Sequence, residues 1–88
     1  MKNLITENII IDRCKKALKN KKCLYIVNVD NTIQFIESNL PSWEFLKKYN
    51  LDSKNLIQGL CPESILKYKN CNDNSLSLII DMCNKSVN

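Results

Sequence analysis

The side chains of this sequence that could do chemistry are thiols and carboxylates, because the chain contains no histidine. Its five cysteines, at positions 14, 23, 61, 71 and 83, never form the C-x-x-C pair that zinc sites usually contain. Cys61 directly precedes a proline and is the only thiol beside a predicted helix start, where ionisation to a thiolate is favoured. Cys61 is therefore the one candidate nucleophile, and the alternative is an inert, partly buried thiol.

The carboxylates offer no better catalytic group. Asp30 ends a predicted strand, where catalytic aspartates often sit, but it suits equally the start of a hairpin turn, which we favour. The only glycine is Gly59, so the chain has no glycine-rich loop to hold a phosphate group. We therefore expect a protein that is not an enzyme and that uses neither a metal nor a cofactor.

The strongest charged feature is the segment RCKKALKNKK at residues 13–22, which carries six of the 13 basic residues and no acidic one. Such a cluster suits an acidic protein surface or phosphate groups. The alternative is a solvated helix face whose cations favour the C-terminal end of the helix dipole. Lysine does not read base edges as arginine does, so nucleic acid should bind here without sequence preference. The predicted partner-binding residues of this basic patch are Arg13, Lys15, Lys16, Lys19 and Lys22.

Trp43, the only tryptophan, is the predicted aromatic anchor for the same partner. Tryptophan is enriched among the residues that dominate the binding energy of interfaces. The alternative is that Trp43 packs in the core with Phe45, and for Phe45 the core is the favoured place. Together the basic patch and Trp43 predict an adaptor, inhibitor or regulator that binds a macromolecule. A protein is the favoured partner and nucleic acid the other option.

The pattern of apolar and turn-forming residues predicts a single small α+β domain over residues 1–88. Thr6 is a suitable cap for a first helix, and β-branched residues flank the turn-forming DNT at 30–32. The tail SLSLIIDMC fits a strand or a helix, and its isoleucines favour the strand. The predicted elements are a helix over 7–20, a β-hairpin over 23–38, short helices over 42–49, 53–60 and 62–69, a loop over 70–74, and the ambiguous tail over 75–85.

The stretch PSWEFLKKYNLDSKNLIQGL, residues 41–60, resembles the helix-turn-helix of bacterial and phage repressors. Asn50 occupies the turn position, which favours a left-handed backbone, and Leu46 and Gly59 depart from the residue types of that motif. The residues at its helix-packing positions are Phe45, Tyr49, Leu51 and Leu56. The resemblance implies a DNA-binding regulator, usually a dimer that matches two half-sites. The residues of the second helix that would then face DNA are Ser53, Lys54, Asn55 and Gln58.

A second resemblance covers the segments YIVNVDNTIQFIESN, FLKKYNL and LIQGL, which in this order resemble the first half of a PAS sensory domain. In that family a pair of strands leads into short helices that end near a glycine. The resemblance implies a truncated sensory or dimerisation module with an internal cavity.

The composition is that of an ordinary globular protein, with 44% hydrophobic and 25% charged residues. The longest apolar run, at 9–11, is far too short to cross a membrane, and charged residues interrupt any signal-peptide core. An odd number of cysteines without a secretory signal indicates free thiols in a reducing compartment, so we expect a cytoplasmic protein. The many Lys, Asn and Ile residues indicate an AT-rich genome, such as that of a low-GC bacterium, a virus or phage, or a protist.

Overall fold

The computed structural model describes residues 4–68 and 74–87, which form four α-helices and three β-strands. In chain order these are α1 (Glu7–Lys19), β1 (Cys23–Val29), β2 (Thr32–Ser38), α2 (Ser42–Lys48), β3 (Leu56–Leu60), α3 (Pro62–Tyr68) and α4 (Ser75–Ser86). A 3-10 turn at Ser53–Asn55 leads into β3. None of these described helices has the length and apolar character needed to span a membrane. The arrangement confirms the predicted α+β class.

Local signals delimit α1 as the sequence predicts. The Thr6 hydroxyl accepts a hydrogen bond from the Ile9 N–H at 3.4 Å and so caps the N-terminal end. At the other end Lys21 has a left-handed conformation, with φ of 57°. The N–H groups of Lys21 and Lys22 bond back to carbonyl oxygens of the last turn, which is a Schellman motif. Lys22 therefore turns away from α1 and does not extend its exposed face.

The hairpin of β1 and β2 closes through a turn of two left-handed residues. Asp30 and Asn31 have φ angles of 52° and 65°. The strands pair antiparallel up to Val29 and Thr32, which flank this turn directly. Two consecutive left-handed residues form a type I′ turn, whose twist matches that of the strands. The structure confirms the hairpin over 23–38 and the turn role of Asp30.

The segment predicted as a helix over 53–60 is instead the 3-10 turn followed by β3, so that prediction is wrong. β3 pairs antiparallel with β1, and the order of strands in the sheet is β2-β1-β3. This pairing supplies a ladder of backbone hydrogen bonds that a five-residue segment does not reveal by itself. Gly59 lies opposite Tyr25, and a Cβ atom at Gly59 would come within 3.2 Å of the Tyr25 ring. The missing side chain leaves room for that ring.

Both resemblances implied a helix in this segment, and β3 corrects both. A recognition helix over 53–60 is absent from the described residues, because that stretch is the 3-10 turn followed by a strand at the edge of the sheet. The strand pair expected from the PAS resemblance is present, but Gly59 lies within a third strand rather than at the end of a helix.

Successive residues of β1 face two different parts of the core. Leu24 and Ile26 pack with α1, α3 and α4, in a cluster whose other buried members are Ile10, Cys14, Ala17, Leu60, Ile79 and Cys83. Tyr25 and Val27 pack on the other side against α2, where Phe45 is fully buried as predicted. Because adjacent strand residues point to opposite faces, α1 and α2 lie on opposite faces of the sheet.

The C-terminal segment is the helix α4, so the sequence preference for a strand there is wrong. Its buried residues Ile79 and Cys83 follow helical spacing and pack on the core. The Asn84 side chain accepts a hydrogen bond from the Ile5 N–H at 2.8 Å and donates to the Ile5 carbonyl oxygen at 3.0 Å. Tertiary packing of this apolar stripe outweighs the weak helix preference of its isoleucines. Of the predicted loop over 70–74, only Asn74 lies within the described residues.

Buried thiols should make the stability of this fold fall at alkaline pH. Cys14 and Cys83 are fully buried. Burial raises the pKa of Cys14 from 9.0 to about 11 and raises that of Cys83 in the same direction. Above pH 9.0 the unfolded chain therefore releases thiol protons that the folded protein keeps until about pH 11. We expect the free energy of unfolding, measured with urea by circular dichroism, to decrease across that interval.

The matched control for this prediction is Cys14→Ala, which removes one of the titrating groups. The variant should lose stability less steeply with pH than the wild-type protein. Burial also raises the pKa of Tyr25, so part of the decrease should remain in the variant. Identical pH slopes for the two proteins would show that Cys14 ionises as easily in the folded state as in the unfolded state.

Candidate functional site

Among the described residues, the most exposed aromatic side chain is that of Trp43, in the first turn of α2. Its exposed fraction is 67%, whereas Phe45, on the same helix, is fully buried. The Phe45 ring stacks on Tyr25 with 3.9 Å between the ring centroids. This stack decides which side of α2 faces the sheet, and it leaves Trp43 in solvent. The exposure that an aromatic anchor requires is therefore present.

Trp43 lines the first of two adjoining grooves. The first has a volume of about 550 Å³ and is lined by Leu40, Trp43, Glu44, Lys47 and Lys48. The second has a volume of about 290 Å³ and is lined by Lys22, Glu37, Ser38, Asn39, Leu40, Lys48 and Tyr49. The grooves share Leu40 and Lys48, so they form one continuous surface, which we call the Trp43 surface.

Hydrogen bonds to the link between β2 and α2 hold this surface together. The Asn39 side-chain amide donates to the Lys21 carbonyl oxygen at 3.0 Å, and its side-chain oxygen accepts from the Cys23 N–H at 3.2 Å. These bonds tie the turn that follows α1 to the residues that precede α2. On the inner side, the buried Tyr25 hydroxyl donates to the Leu40 carbonyl oxygen at 2.6 Å.

The C-terminal end of α2 places two lysines beside Trp43. Asn50 has a φ of 55°, the left-handed conformation predicted for it. The N–H groups of Asn50 and Leu51 bond to the carbonyl oxygens of Lys47 and Leu46, which is a second Schellman motif. The helix thus ends directly after Lys48, and its last turn carries two positive charges where the helix dipole favours cations.

Charges of both signs surround the apolar centre of the Trp43 surface. The lysines are Lys22, Lys47 and Lys48, and the glutamates are Glu37 and Glu44. The Glu37 carboxylate is already engaged, because the Asn20 side-chain amide donates to it at 2.9 Å. The Lys48 Nζ lies 5.5 Å from the centroid of the Tyr49 ring, within the range of a cation–π contact. An apolar centre with a charged rim is the usual anatomy of a protein–protein interface.

The structure joins only one member of the predicted basic patch to Trp43. Lys22 lies at the Trp43 surface because the Schellman turn carries it off α1. The other members, Arg13, Lys15, Lys16 and Lys19, are exposed on α1, on the opposite face of the sheet from α2. The Arg13 guanidinium carbon lies 5.4 Å from the centroid of the Phe35 ring. The predicted basic patch is therefore divided, with Lys22 at the Trp43 surface and its other members on α1.

The residues predicted to face DNA do not share one helical face. They are Ser53, Lys54, Asn55 and Gln58. The first two are exposed in the 3-10 turn, whereas the last is half-buried in β3. The Asn55 side-chain oxygen accepts from the Asp52 N–H at 2.8 Å, and its amide donates to the Asn28 carbonyl oxygen at 2.9 Å. These two hydrogen bonds fix the backbone that leads into β3, so the Asn55 side chain has a structural role. Because the four residues lie in a 3-10 turn and a strand, the prediction of a base-reading helix face is wrong.

Sequence reasoning missed the roles of Lys47 and Lys48 at this surface and the positioning role of Asn39. A signal existed for Lys47, because a residue four positions after Trp43 lies on the same face of a helix. Asn39 had no such signal, since its two hydrogen-bond partners are 16 and 18 residues away in the chain. Contacts at that separation follow from the tertiary fold alone.

A third groove, on the side of the sheet that faces α2, contains two thiols. It has a volume of about 420 Å³ and is lined by Cys23, Tyr25, Ser42, Leu56, Gly59, Leu60 and Cys61, and we call it the thiol groove. Both cysteines are exposed, so the alternative of a partly buried Cys61 is wrong. The Ser64 backbone N–H and hydroxyl bond to the Cys61 sulfur, and these bonds lower the pKa of that thiol. Nowhere in residues 4–68 and 74–87 do three metal-ligating side chains come together.

Comparison of the chain with protein-family models, with curated proteins and with solved structures finds no match.

Proposed function

We propose that this protein is a non-enzymatic regulator or adaptor of the cytoplasm that binds an acidic segment of a protein partner through the Trp43 surface. The observation that carries the proposal is the 67% exposure of Trp43. The core behind this residue is filled by Phe45, so the fold leaves the largest side chain of α2 free to contact a partner. Covering an exposed tryptophan is a common source of binding energy in interfaces.

The surroundings of Trp43 support a protein partner with an acidic, partly apolar segment. Leu40 and the 38% exposed Tyr49 extend the apolar centre away from Trp43. Three lysines border this centre on two sides, and they attract carboxylates and guide the approach of an acidic chain. The apolar centre supplies affinity, and the lysines supply the preference for acidic sequence.

Nucleic acid is the less favoured partner for this surface. Glu37 and Glu44 line the same grooves and would repel phosphate groups. Arginine, which pairs with phosphates and base edges in a bidentate manner, is absent from the residues that line them. An acidic protein segment whose carboxylates are separated by apolar residues fits this rim better than a uniform polyanion does.

The double substitution Lys47→Glu and Lys48→Glu reverses two charges on α2. It should weaken partner binding by at least about tenfold at low salt. The partner is captured from cell lysate with the tagged protein, identified by mass spectrometry and purified. Its affinity for each variant is then measured by calorimetry. The loss should shrink as the salt concentration rises, because screening weakens the attraction between exposed charges.

The matched control is Lys15→Glu with Lys16→Glu, which makes the same charge change on α1, on the other face of the sheet. This control should change the affinity by less than about twofold, since those lysines lie outside the Trp43 surface. If the double substitution on α1 lowered the affinity more than the double substitution on α2, the interface would lie on α1 instead. Trp43 fluorescence that responds to oligothymidylate but not to the purified protein would favour a nucleic-acid partner instead.

A further inference from the structure

The fold brings two cysteines from distant parts of the chain to the same end of the sheet. Leu24 of β1 pairs with Leu60 of β3 across the antiparallel ladder. The next position on each chain segment is a cysteine, Cys23 on one side and Cys61 on the other, and both line the thiol groove. The ladder ends at Leu24 and Leu60, and opposed residues of antiparallel strands have Cα atoms about 4.5–5.5 Å apart. The two cysteines one position beyond this pair therefore start close to the separation that a disulfide spans.

We propose that the thiol groove is a thiol–disulfide exchange site, at which a low-molecular-weight disulfide such as oxidised glutathione joins Cys23 and Cys61. In the first step the Cys61 thiolate attacks one sulfur of the small disulfide, which forms a mixed disulfide and releases one small thiolate. In the second step the Cys23 thiolate attacks the Cys61 sulfur, which forms the Cys23–Cys61 bond and releases the second thiolate. The protein gives up two electrons and two protons, and the small disulfide leaves as two thiols.

The surroundings of the two thiols set the order of these steps. Hydrogen bonds from the Ser64 backbone N–H and hydroxyl favour the thiolate of Cys61, and the Glu63 N–H adds to this effect. Slight burial and the Glu63 carboxylate act in the opposite direction, but the pKa of Cys61 is lowered overall. A thiolate, and not a thiol, is the attacking species in disulfide exchange. Cys23 is exposed within the same groove and can resolve the mixed disulfide.

The other described cysteines are unsuited to this chemistry. Cys14 and Cys83 are fully buried, and burial raises the pKa of both thiols. Neither sulfur is accessible to a small disulfide in the folded protein. The proposal therefore predicts selective oxidation of one pair among several free thiols, and it is independent of the binding proposed for the Trp43 surface.

The test exposes the folded protein to oxidised glutathione near neutral pH, quenches it with an alkylating reagent and maps the products by mass spectrometry. Every protein carries Cys71→Ser, because Cys71 lies outside the described residues and would compete for the reagent. The parent should lose two hydrogens and yield a peptide pair that joins Cys23 to Cys61. Adding Cys23→Ser should leave glutathione attached to Cys61, whereas adding Cys61→Ser should slow all modification by about tenfold or more.

Ser64→Ala supplies a readout that a merely accessible thiol would not show. Loss of the hydroxyl donor should shift the pH profile of Cys61 modification upward and slow it about threefold near neutral pH, with the helical content unchanged. A glutathione adduct on Cys61 that persists while Cys23 is present would overturn the proposal. So would equal reaction rates at Cys23 and Cys61, or disulfides formed only between two molecules.

Discussion

Replacing Phe45 by alanine should lower the free energy of unfolding by about 3–5 kcal/mol. The side chain is fully buried, stacks on Tyr25 at 3.9 Å and lies 5.0 Å from the Tyr49 ring, measured between centroids. The cluster on this face of the sheet has few buried members, which besides Phe45 are Tyr25 and Val27. Removing the ring would leave a cavity beside Tyr25 and Val27, so the cost should lie at the upper end of the range for a large-to-small change.

Urea denaturation followed by circular dichroism measures this effect. Because domains of this size are stable by only about 5–15 kcal/mol, Phe45→Ala should be partly unfolded near body temperature. The matched control is Phe45→Leu, which keeps most of the volume and should cost less than about 2 kcal/mol. A loss below about 1 kcal/mol for Phe45→Ala would show that α2 does not depend on this contact with the sheet.

Replacing Trp43 by alanine should have the opposite pattern, with little effect on folding and a large effect on binding. The side chain is 67% exposed, so the free energy of unfolding should change by no more than about 0.5 kcal/mol. The affinity for the purified protein partner should fall by at least about 30-fold, which corresponds to the loss of a dominant interface residue. Calorimetry measures the affinity, because the variant has no tryptophan fluorescence.

Trp43→Phe is the matched variant for this second prediction. It keeps an aromatic ring at the centre of the Trp43 surface, so it should bind more weakly than the wild-type protein but more tightly than Trp43→Ala. The pair Trp43→Ala and Phe45→Ala also separates binding from folding on one helix. An affinity that Trp43→Ala leaves within about twofold of the wild-type value would remove Trp43 from the interface.

Features that depend on a few neighbouring residues were predictable from the sequence. Thr6 caps α1, Asp30 and Asn31 form the hairpin turn, and Asn50 takes the left-handed position at the end of α2. In each case a side chain acts on the backbone within a few positions of itself, so the signal and its effect lie in the same short window. Pro62 marks the start of α3 for the same reason.

The two elements that were predicted wrongly both contain short apolar segments, and such segments fit a helix or a strand equally well. LIQGL became β3 because β1 offered an open edge with matching apolar residues, and Asn55 bonds to Asn28, 27 residues away, at its entry. The tail became α4 because its stripe of Ile79 and Cys83 packs on the core. The deciding contacts come from other parts of the chain, so local preference could not choose between the two structures.

By itself, the sequence determined the helical N-terminus, the hairpin and its turn, the buried place of Phe45, and a large excess of lysine near residue 20. Only the tertiary structure decided which of these features meet. It placed α1 and α2 on opposite faces of the sheet, placed Lys22 at the Trp43 surface and brought Cys23 and Cys61 into the lining of one groove. The physical reason is that a site is assembled by strand pairing and core packing between distant segments, whereas sequence patterns report mainly the preferences of neighbours.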